Sequence, residues 1–240
     1  MFERSTSATV GDIVATNFRT AAVFERFGID FCCGGRLSLA DACRAAAVEP
    51  SAVIEALDTL STASVHDDDV TAWPVERLID HILSAHHTFV RSALPVIDRH
   101  LAAIEDAHGS RHPELARLRS CFDQLSQELT HHMLKEEHVL FPYVRELATR
   151  GGGWAPSPFG SVENPIRMME RDHREAADHL TTIRELTAGF SAPADGCNTY
   201  QVCMAELAEF ERDLHRHVHL ENNVLFPEAI RLESAQRLQQ

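Results

Sequence analysis

Two segments of the chain have nearly the same sequence, and each places a polar pair in an apolar helix. His132–Pro142 reads HMLKEEHVLFP and His217–Pro227 reads HVHLENNVLFP. Both keep a histidine, a glutamate four residues later and a final Val-Leu-Phe-Pro. Because residues four apart on an α-helix stand one above the other, each copy presents an imidazole and a carboxylate to the same point. The fold must therefore accommodate two such pairs.

Each histidine–glutamate pair lies in the middle of an apolar stripe with helical period. The first stripe consists of Leu118, Phe122, Leu125, Leu129, His132, Glu136, Leu140 and Tyr143. The second stripe consists of Cys203, Leu207, Phe210, Leu214, His217, Glu221, Val224 and Leu225. A carboxylate on a core-facing stripe costs several kcal/mol unless it has a partner. The pattern therefore indicates a buried partner for Glu136 and Glu221.

The repeat extends to a lone histidine on the helix before each motif. The same leucine and isoleucine spacing follows His87 and His173. Each half is therefore predicted to be a helical hairpin, with a lone histidine on its first helix and His-x-x-x-Glu on its second. Helical geometry alone places His86 nearer than His87 to the centre of its apolar arc, so the residues by themselves leave these two open.

The polar residues of both halves together predict a metal site. Two glutamates and four histidines on one interior can bind two metal ions, with the carboxylates bridging them. Imidazole with carboxylate suits iron, manganese or zinc, and such a pair in a helical bundle is typical of a non-haem di-iron centre. A single His-x-x-x-Glu is more often a solvated pair, however. Four further histidines are interpreted as exposed ones of that kind: His86, His131, His138 and His219.

Proline, glycine and charge divide the chain into a small amino-terminal part and a long helical part. We predict short helices in residues 1–60 (about 9–27, 38–47 and 51–60), with a capping box at Ser38–Asp41. Residues 61–72 read as an acidic linker, and residues 73–240 as an antiparallel four-helix bundle. The bundle helices span about 74–107, interrupted by Pro95, then 113–148, 164–188 and 199–235. Strand patterns are missing, so the predicted fold class is all-α.

Composition excludes several kinds of partner. With 36 acidic against 22 basic side chains and a net charge of −14, a nucleic-acid partner is not expected, because phosphate backbones bind basic patches. No apolar run suits a signal peptide or a membrane span, so we expect a cytoplasmic protein without a membrane partner. Six cysteines in 240 residues do not resemble a disulfide framework. The oligomeric state stays open.

The adjacent thiols Cys32 and Cys33 lie in FGIDFCCGGRLSL, just before the helix that begins at Ser38. Thiols near glycine turns and free helix amides can have lowered pKa values and form reactive thiolates. Packing as small apolar side chains is an equal alternative. The remaining cysteines are interpreted as ordinary buried residues: Cys43, Cys121, Cys197 and Cys203.

Two acids near the predicted metal ligands are candidates for handling protons. Glu128 lies one helical turn before His132, at the edge of the apolar stripe, and Asp172 is adjacent to His173. Either residue is equally interpreted as a solvated acid.

The bundle resembles the hemerythrin-like di-iron domain. The whole chain, from DFCCGG (Asp30–Gly35) through LIDHI (Leu78–Ile82) to LENNVLFP (Leu220–Pro227), resembles the repair-of-iron-centres family of YtfE/ScdA-like proteins. The resemblance implies two iron ions, with Glu136 and Glu221 bridging, and it favours His87 over His86. The implied ligands are His87, His132, Glu136, His173, His217 and Glu221.

The resemblance also implies a function and partners. Members of the family restore iron-sulfur clusters damaged by nitric oxide or oxidants, so iron-sulfur apoproteins or damaged cluster proteins are the expected partners. Nitric oxide and oxygen are the expected small ligands, and whether nitric oxide is enzymatically reduced or only bound stays open. We further hypothesise that Cys32 and Cys33 accept iron or a nitrosyl group from the bundle.

Two other functions compete with repair. One is a reversible oxygen or nitric oxide binder or sensor, and the other is a metal-free helical interaction module in which the histidines satisfy each other. The Cys32–Cys33 segment favours repair over gas binding, because a carrier needs no thiols.

Overall fold

Helices account for nearly all the regular structure of this protein. The computed structural model describes residues 8–60, 70–149 and 159–238. Within these ranges there is no β-sheet, and Thr9 and Ser38 form only an isolated bridge. The all-α fold class predicted from the sequence is therefore confirmed. The helices are α1 (Val10–Thr16), α2 (Ala21–Arg26), α3 (Leu39–Ala45), α4 (Pro50–Leu60), α5 (Val75–His81), α6 (Thr88–His108), α7 (Glu114–Lys135), α8 (Phe141–Thr149), α9 (Glu163–Leu186), α10 (Asn198–Leu220) and α11 (Phe226–Arg237).

The chain forms two compact units. Unit 1 consists of Met1–Ile79, Leu147–Ala155 and Arg216–Gln240, and unit 2 consists of Asp80–Glu146 and Pro156–His215. The domain boundaries drawn from the sequence stay predictions. Residues 61–69 of the predicted linker lie outside the described residues. Val70, at the end of that linker, is buried, and its N–H donates to the carbonyl of Ala15 at 3.3 Å.

Unit 2 contains the first helical hairpin that the sequence repeat predicts and most of the second, whose end from Arg216 onward belongs to unit 1. α7 packs along both α6 and α9, and the first apolar stripe is buried along its whole length. Phe210 of α10 contacts Phe122 of α7 edge to face, with ring centroids 5.9 Å apart, and it lies 6.4 Å from Phe89 of α6. These contacts bring helices from both hairpins into one core.

Unit 1 begins with short helices, and the single helix predicted over 9–27 is wrong. α1 ends at Thr16, and Asn17 then caps a 3-10 turn (Phe18–Thr20) by accepting from the N–H of Arg19 at 3.1 Å. An asparagine side chain competes with the helix for backbone groups in this way. The predicted cap at Ser38 is confirmed, because Ser38 Oγ accepts from the N–H of Asp41 at 3.1 Å and donates to Oδ2 of Asp41 at 2.7 Å.

In the described part of the chain, three π-helical segments interrupt the long helices: π1 (Ile82–His87), π2 (Glu136–Leu140) and π3 (Glu221–Leu225). π2 and π3 each end immediately before the Phe-Pro of the repeated motif. Proline has no N–H to donate and its ring crowds the preceding turn, and the wider π turn gives the ring room. The repeated Leu-Phe-Pro thus has the same local structure in both copies.

The interruption predicted at Pro95 is wrong. α6 runs from Thr88 to His108 with Pro95 inside it. Pro95 and Arg91 are both exposed, so the carbonyl of Arg91, which loses its helical donor to the proline, faces water that can replace it.

Among the described residues, no helix combines the length and the apolar character that spanning a bilayer requires.

Candidate metal centre

Within unit 2, three imidazoles converge on one buried carboxylate. Glu136 begins π2 and is inaccessible to solvent. Its Oε2 lies 3.4 Å from Nε2 of His87, and its Oε1 lies 3.3 Å from Nε2 of His132. Nε2 of His173 is 3.0 Å from Nε2 of His132. Ligand atoms of His132, Glu136 and His173 all lie within 4.8 Å of one another, which is a donor set suited to a transition metal.

The π1 segment directs His86 and His87 to different partners. Both side chains are buried: His87 reaches Glu136, and Nδ1 of His86 lies 2.9 Å from Oδ1 of Asp213 on α10. A π turn holds more residues than an α turn, so helical phase counted at 100° per residue does not apply across it. The interpretation of His86 as exposed is therefore wrong.

A carboxylate behind His87 fixes the orientation of its ring. Oε1 of Glu137 lies 2.6 Å from Nδ1 of His87, and Arg91 donates to both oxygens of Glu137 at 2.6 Å. Burial alone would raise the pKa of Glu137, but hydrogen bonds from Arg91 and His87 outweigh it and lower that pKa. A charged Glu137 holds the proton on Nδ1 and leaves Nε2 to bind a metal.

Sequence reasoning did not identify Glu137. The only available signal was an acidic residue directly after Glu136, and its direction depends on π2.

Asp172 has the corresponding place behind His132. Its Oδ2 lies 3.5 Å from Nδ1 of His132 and accepts from Nζ of Lys135 at 2.7 Å. Burial would raise the pKa of Asp172, but hydrogen bonds from His132 and Lys135 outweigh it and lower the pKa to about 2. The acid that the sequence places next to His173 therefore orients His132 instead.

A cleft of about 180 Å³ in unit 2 reaches the imidazoles of His132 and His173. Glu128, Lys135 and Asp172 also line it. Glu128 is about half exposed and lies 3.2 Å from His179 Nε2. The cleft offers a route by which a small molecule could approach these two histidines.

Within unit 1, the second copy of the motif forms the same pair. Nε2 of His217, near the end of α10, lies 2.8 Å from Oε1 of Glu221, and both side chains are buried. His131 and His138 of the first copy are exposed, as the sequence indicated. His219 is buried instead, with its ring centroid 5.9 Å from that of Phe31, so its interpretation as exposed is wrong.

Cys32 and Cys33 lie in a tight turn, Asp30–Gly35, here called the thiol turn. Oδ1 of Asp30 accepts from the N–H groups of Cys32 at 3.0 Å and Cys33 at 2.9 Å, and Oδ2 accepts from Gly34 at 2.9 Å. A hydrogen bond with Cys33, burial and the Asp30 carboxylate raise the pKa of Cys32 well above its usual value. Of the two alternatives drawn from the sequence, a lowered pKa is therefore wrong for Cys32, because the hydrogen bond with Cys33 and burial favour the neutral thiol.

The other cysteines are not alike. Cys43 and Cys203 are buried, Cys121 is half-buried and Cys197 is exposed. The expectation of a buried side chain is therefore wrong for Cys197, which precedes α10.

Repeated histidine–glutamate pairs inside an all-α bundle define a hemerythrin-type cation-binding protein. Residues 78–229 match the family described as the hemerythrin HHE cation binding domain. Residues 6–61 match the ScdA amino-terminal domain, described as a domain of unknown function.

Full-length relatives make the family more specific: the chain belongs to the iron-sulfur cluster repair proteins called YtfE. The YtfE protein of Dickeya chrysanthemi (strain Ech1591) is 33% identical over 226 residues, covering 94% of this chain and 97% of the relative. That of Musicola paradisiaca (strain Ech703) is 32% identical over 230 residues, with 94% and 97% covered. That of Yersinia pestis (strain Pestoides F) is 33% identical over 215 residues, with 90% and 93% covered. The resemblance seen in the sequence is confirmed.

Proposed function

We propose that this chain is a non-haem di-iron protein that repairs iron-sulfur clusters damaged by nitric oxide or oxidative stress, and that it acts by donating iron. The observation that carries the proposal is the convergence of His87, His132 and His173 on the buried carboxylate of Glu136. Relatives named for iron-sulfur cluster repair support the biological role.

We assign the iron ions to six residues and make Glu136 and Glu221 the bridging ligands. All six residues are 2% exposed or less, and the sequence repeat gives His217 and Glu221 the positions that His132 and Glu136 have in the first copy. Neutral imidazole with carboxylate suits iron. The six ligands are His87, His132, Glu136, His173, His217 and Glu221.

Bound iron would supply redox and Lewis-acid chemistry, and the protein's own residues prepare the site for it. Glu137 and Asp172 hold protons on the Nδ1 atoms of His87 and His132, which presents Nε2 for binding. Arg91 and Lys135 contact these two acids and keep them charged near neutral pH.

A second activity, binding or reducing nitric oxide or binding oxygen, is favoured by the cleft that reaches His132 and His173. A small gas needs a route to the centre, and Glu128, one of the two acids that the sequence suggests for handling protons, lines this cleft. A reversible gas adduct without iron transfer would favour this activity as the main one.

We propose that Cys32 and Cys33 accept iron or a nitrosyl group from the bundle and pass it to a client apoprotein. Ligand atoms of Asp30, Cys32 and Cys33 lie within 4.8 Å of one another, which suits brief binding of a thiophilic cation. Thiols that stay free fit a reducing compartment such as the cytoplasm.

The test of the main proposal is anaerobic iron transfer. Protein loaded with ferrous iron is mixed with a cluster-free apoprotein and inorganic sulfide, and cluster absorbance is followed, with Mössbauer spectra to establish a di-iron centre. We expect iron to move to the apoprotein. Iron that stays bound throughout the assay would count against donation.

Two sets of variants separate metal binding from transfer. We expect His132→Ala to reduce the iron content below stoichiometric, whereas His131→Ala, at an exposed neighbour, should keep it. Replacing both Cys32 and Cys33 with serine should leave the iron content intact and impair transfer. Unchanged transfer would remove the proposed role of the thiols.

A further inference from the structure

The two copies of the repeated motif differ at the two residues that follow the shared glutamate. Glu137 and His138 in the first copy correspond to Asn222 and Asn223 in the second. Glu137 orients a metal-site histidine. An asparagine amide can instead donate to backbone carbonyls, so the second copy has a different structural task at this position.

Within unit 1, both asparagines donate to the backbone of the thiol turn. Nδ2 of Asn223 donates to the carbonyls of Cys32 at 3.0 Å and Phe31 at 3.2 Å, and Nδ2 of Asn222 donates to the carbonyl of Cys32 at 3.3 Å. Asn222 directly follows Glu221. The hydrogen bonds that hold Cys32 therefore begin at the residue next to a proposed iron ligand.

Glycine permits this close approach. A Cβ atom on Gly35 would overlap Oδ1 of Asn223 and lie 2.6 Å from the carbonyl oxygen of Phe31. A Cβ atom on Gly11 would lie 2.7 Å from the same Oδ1 of Asn223, and the N–H of Gly11 donates to the carbonyl of Gly35 at 2.8 Å. The backbone of the thiol turn thus lies directly against Asn223.

In this position of the thiol turn, the side chain of Cys32 is buried. Cys32 is 6% exposed and Phe31 is 2% exposed, with the Phe31 ring packed edge to face on His219. Access of a reagent or a client protein to Cys32 therefore requires the thiol turn to move.

We infer that Asn222 and Asn223 are positioning residues that couple metal binding at Glu221 to the exposure of Cys32. The inference rests on the proposed function, in which His217 and Glu221 bind iron. A metal bound by Glu221 would add to the contact between Glu221 and His217 and hold π3 in place, and loss of the metal removes that restraint. When iron leaves, the hydrogen bonds from Asn222 and Asn223 to the thiol turn loosen. Cys32 then becomes exposed and can accept the released iron.

The test measures alkylation of Cys32 by iodoacetamide, resolved peptide by peptide with mass spectrometry, in the full chain. In the wild type, loading with ferrous iron should slow labelling of Cys32 about tenfold relative to chelator-stripped protein, the size of a typical coupling between sites. In Asn223→Ala the stripped and loaded rates should become nearly equal, with the iron content unchanged.

Matched variants distinguish coupling from simple loosening. Asn223→Asp keeps the size of the side chain but loses the donor, and it should behave as Asn223→Ala does. His138→Ala, at the corresponding position of the first copy, should keep the tenfold ratio. A structural role alone would raise labelling by the same factor in loaded and stripped protein, and that result would overturn the inference.

The remaining outcomes separate the inference from the proposed function. A wild type that binds iron but labels Cys32 at the same rate with and without it overturns the inference alone. A wild type that binds no metal overturns the proposed function and the inference together. Labelling of Cys197 provides the internal control, because this thiol is already exposed and its rate should not depend on iron.

Discussion

At the scale of residues, a histidine binds metal through one nitrogen only if the other nitrogen keeps its proton. Glu137 provides this for His87, with Arg91 as its own partner. The acid is not a ligand, yet the direction of the His87 ring depends on it.

Glu137→Ala should therefore weaken iron binding by roughly 10- to 100-fold, the usual cost of removing such a partner. Chelator competition measures the affinity. Glu163→Gln, at an exposed acid of α9, is the control and should bind iron as the wild type does. An unchanged affinity in Glu137→Ala would contradict the assigned tautomer.

Cys197 should be the most readily alkylated thiol at neutral pH. A hydrogen bond from His108 and the N–H of Tyr200 lower the pKa of Cys197 to about 7. The thiolate forms above that pKa, so the labelling rate should rise with pH and level off above about 7. Burial raises the pKa of Cys203 to about 12, and this residue should react only after unfolding. A midpoint near the ordinary thiol value for Cys197 would contradict the contact with His108.

At the scale of elements, the apolar period of the long helices predicted the bundle and the inward direction of His132, Glu136 and His173. It failed where the helix changes type. π1 shifts the phase between α5 and α6, so both His86 and His87 are buried. The spacing of apolar residues in the sequence does not show that a helical turn contains one more residue than an α-turn.

Contacts between distant segments were also beyond the sequence. The roles of Asn222 and Asn223 depend on where the thiol turn lies, and the exposure of Cys197 depends on the loop before α10. Asparagine and cysteine occur in many structural environments, so their residue types alone do not predict their contacts. A His-x-x-x-Glu pair on an apolar helix face occurs in few environments and is therefore more informative.

α9 and α10 are joined by a charged pair whose removal should be costly. Arg184 binds the carboxylate of Glu211, which is 3% exposed. Arg184→Met removes the cation that faces this buried carboxylate and should lower the free energy of unfolding by about 2 kcal/mol. The loss is smaller than the usual cost of breaking a buried ion pair, because the side chain of Arg184 is half exposed. Urea denaturation measures the loss. Combining it with Glu211→Leu should recover most of the stability, and a double variant less stable than the single one would contradict this.

At the scale of the whole molecule, stability should depend on metal. Free iron at about 100 times the dissociation constant would stabilise the folded state by about 2.7 kcal/mol. Anaerobic calorimetry should therefore show a lower Tm after chelation and a Tm that rises with iron concentration. Glu221→Ala should abolish this rise. Equal melting with and without chelator would favour the metal-free interaction module.

The contacts inside unit 1 bear on how the protein can be dissected. The predicted linker at residues 61–72 suggests that residues 73–240 could be expressed as a separate bundle. Such a fragment would lack Phe31 and Cys32, against which His219 and Asn222 are buried. Truncation would expose the side chains of His219 and Asn222 to solvent next to Glu221. A soluble truncated bundle would therefore call for redesign of this newly exposed surface before its iron chemistry is compared with that of the intact chain.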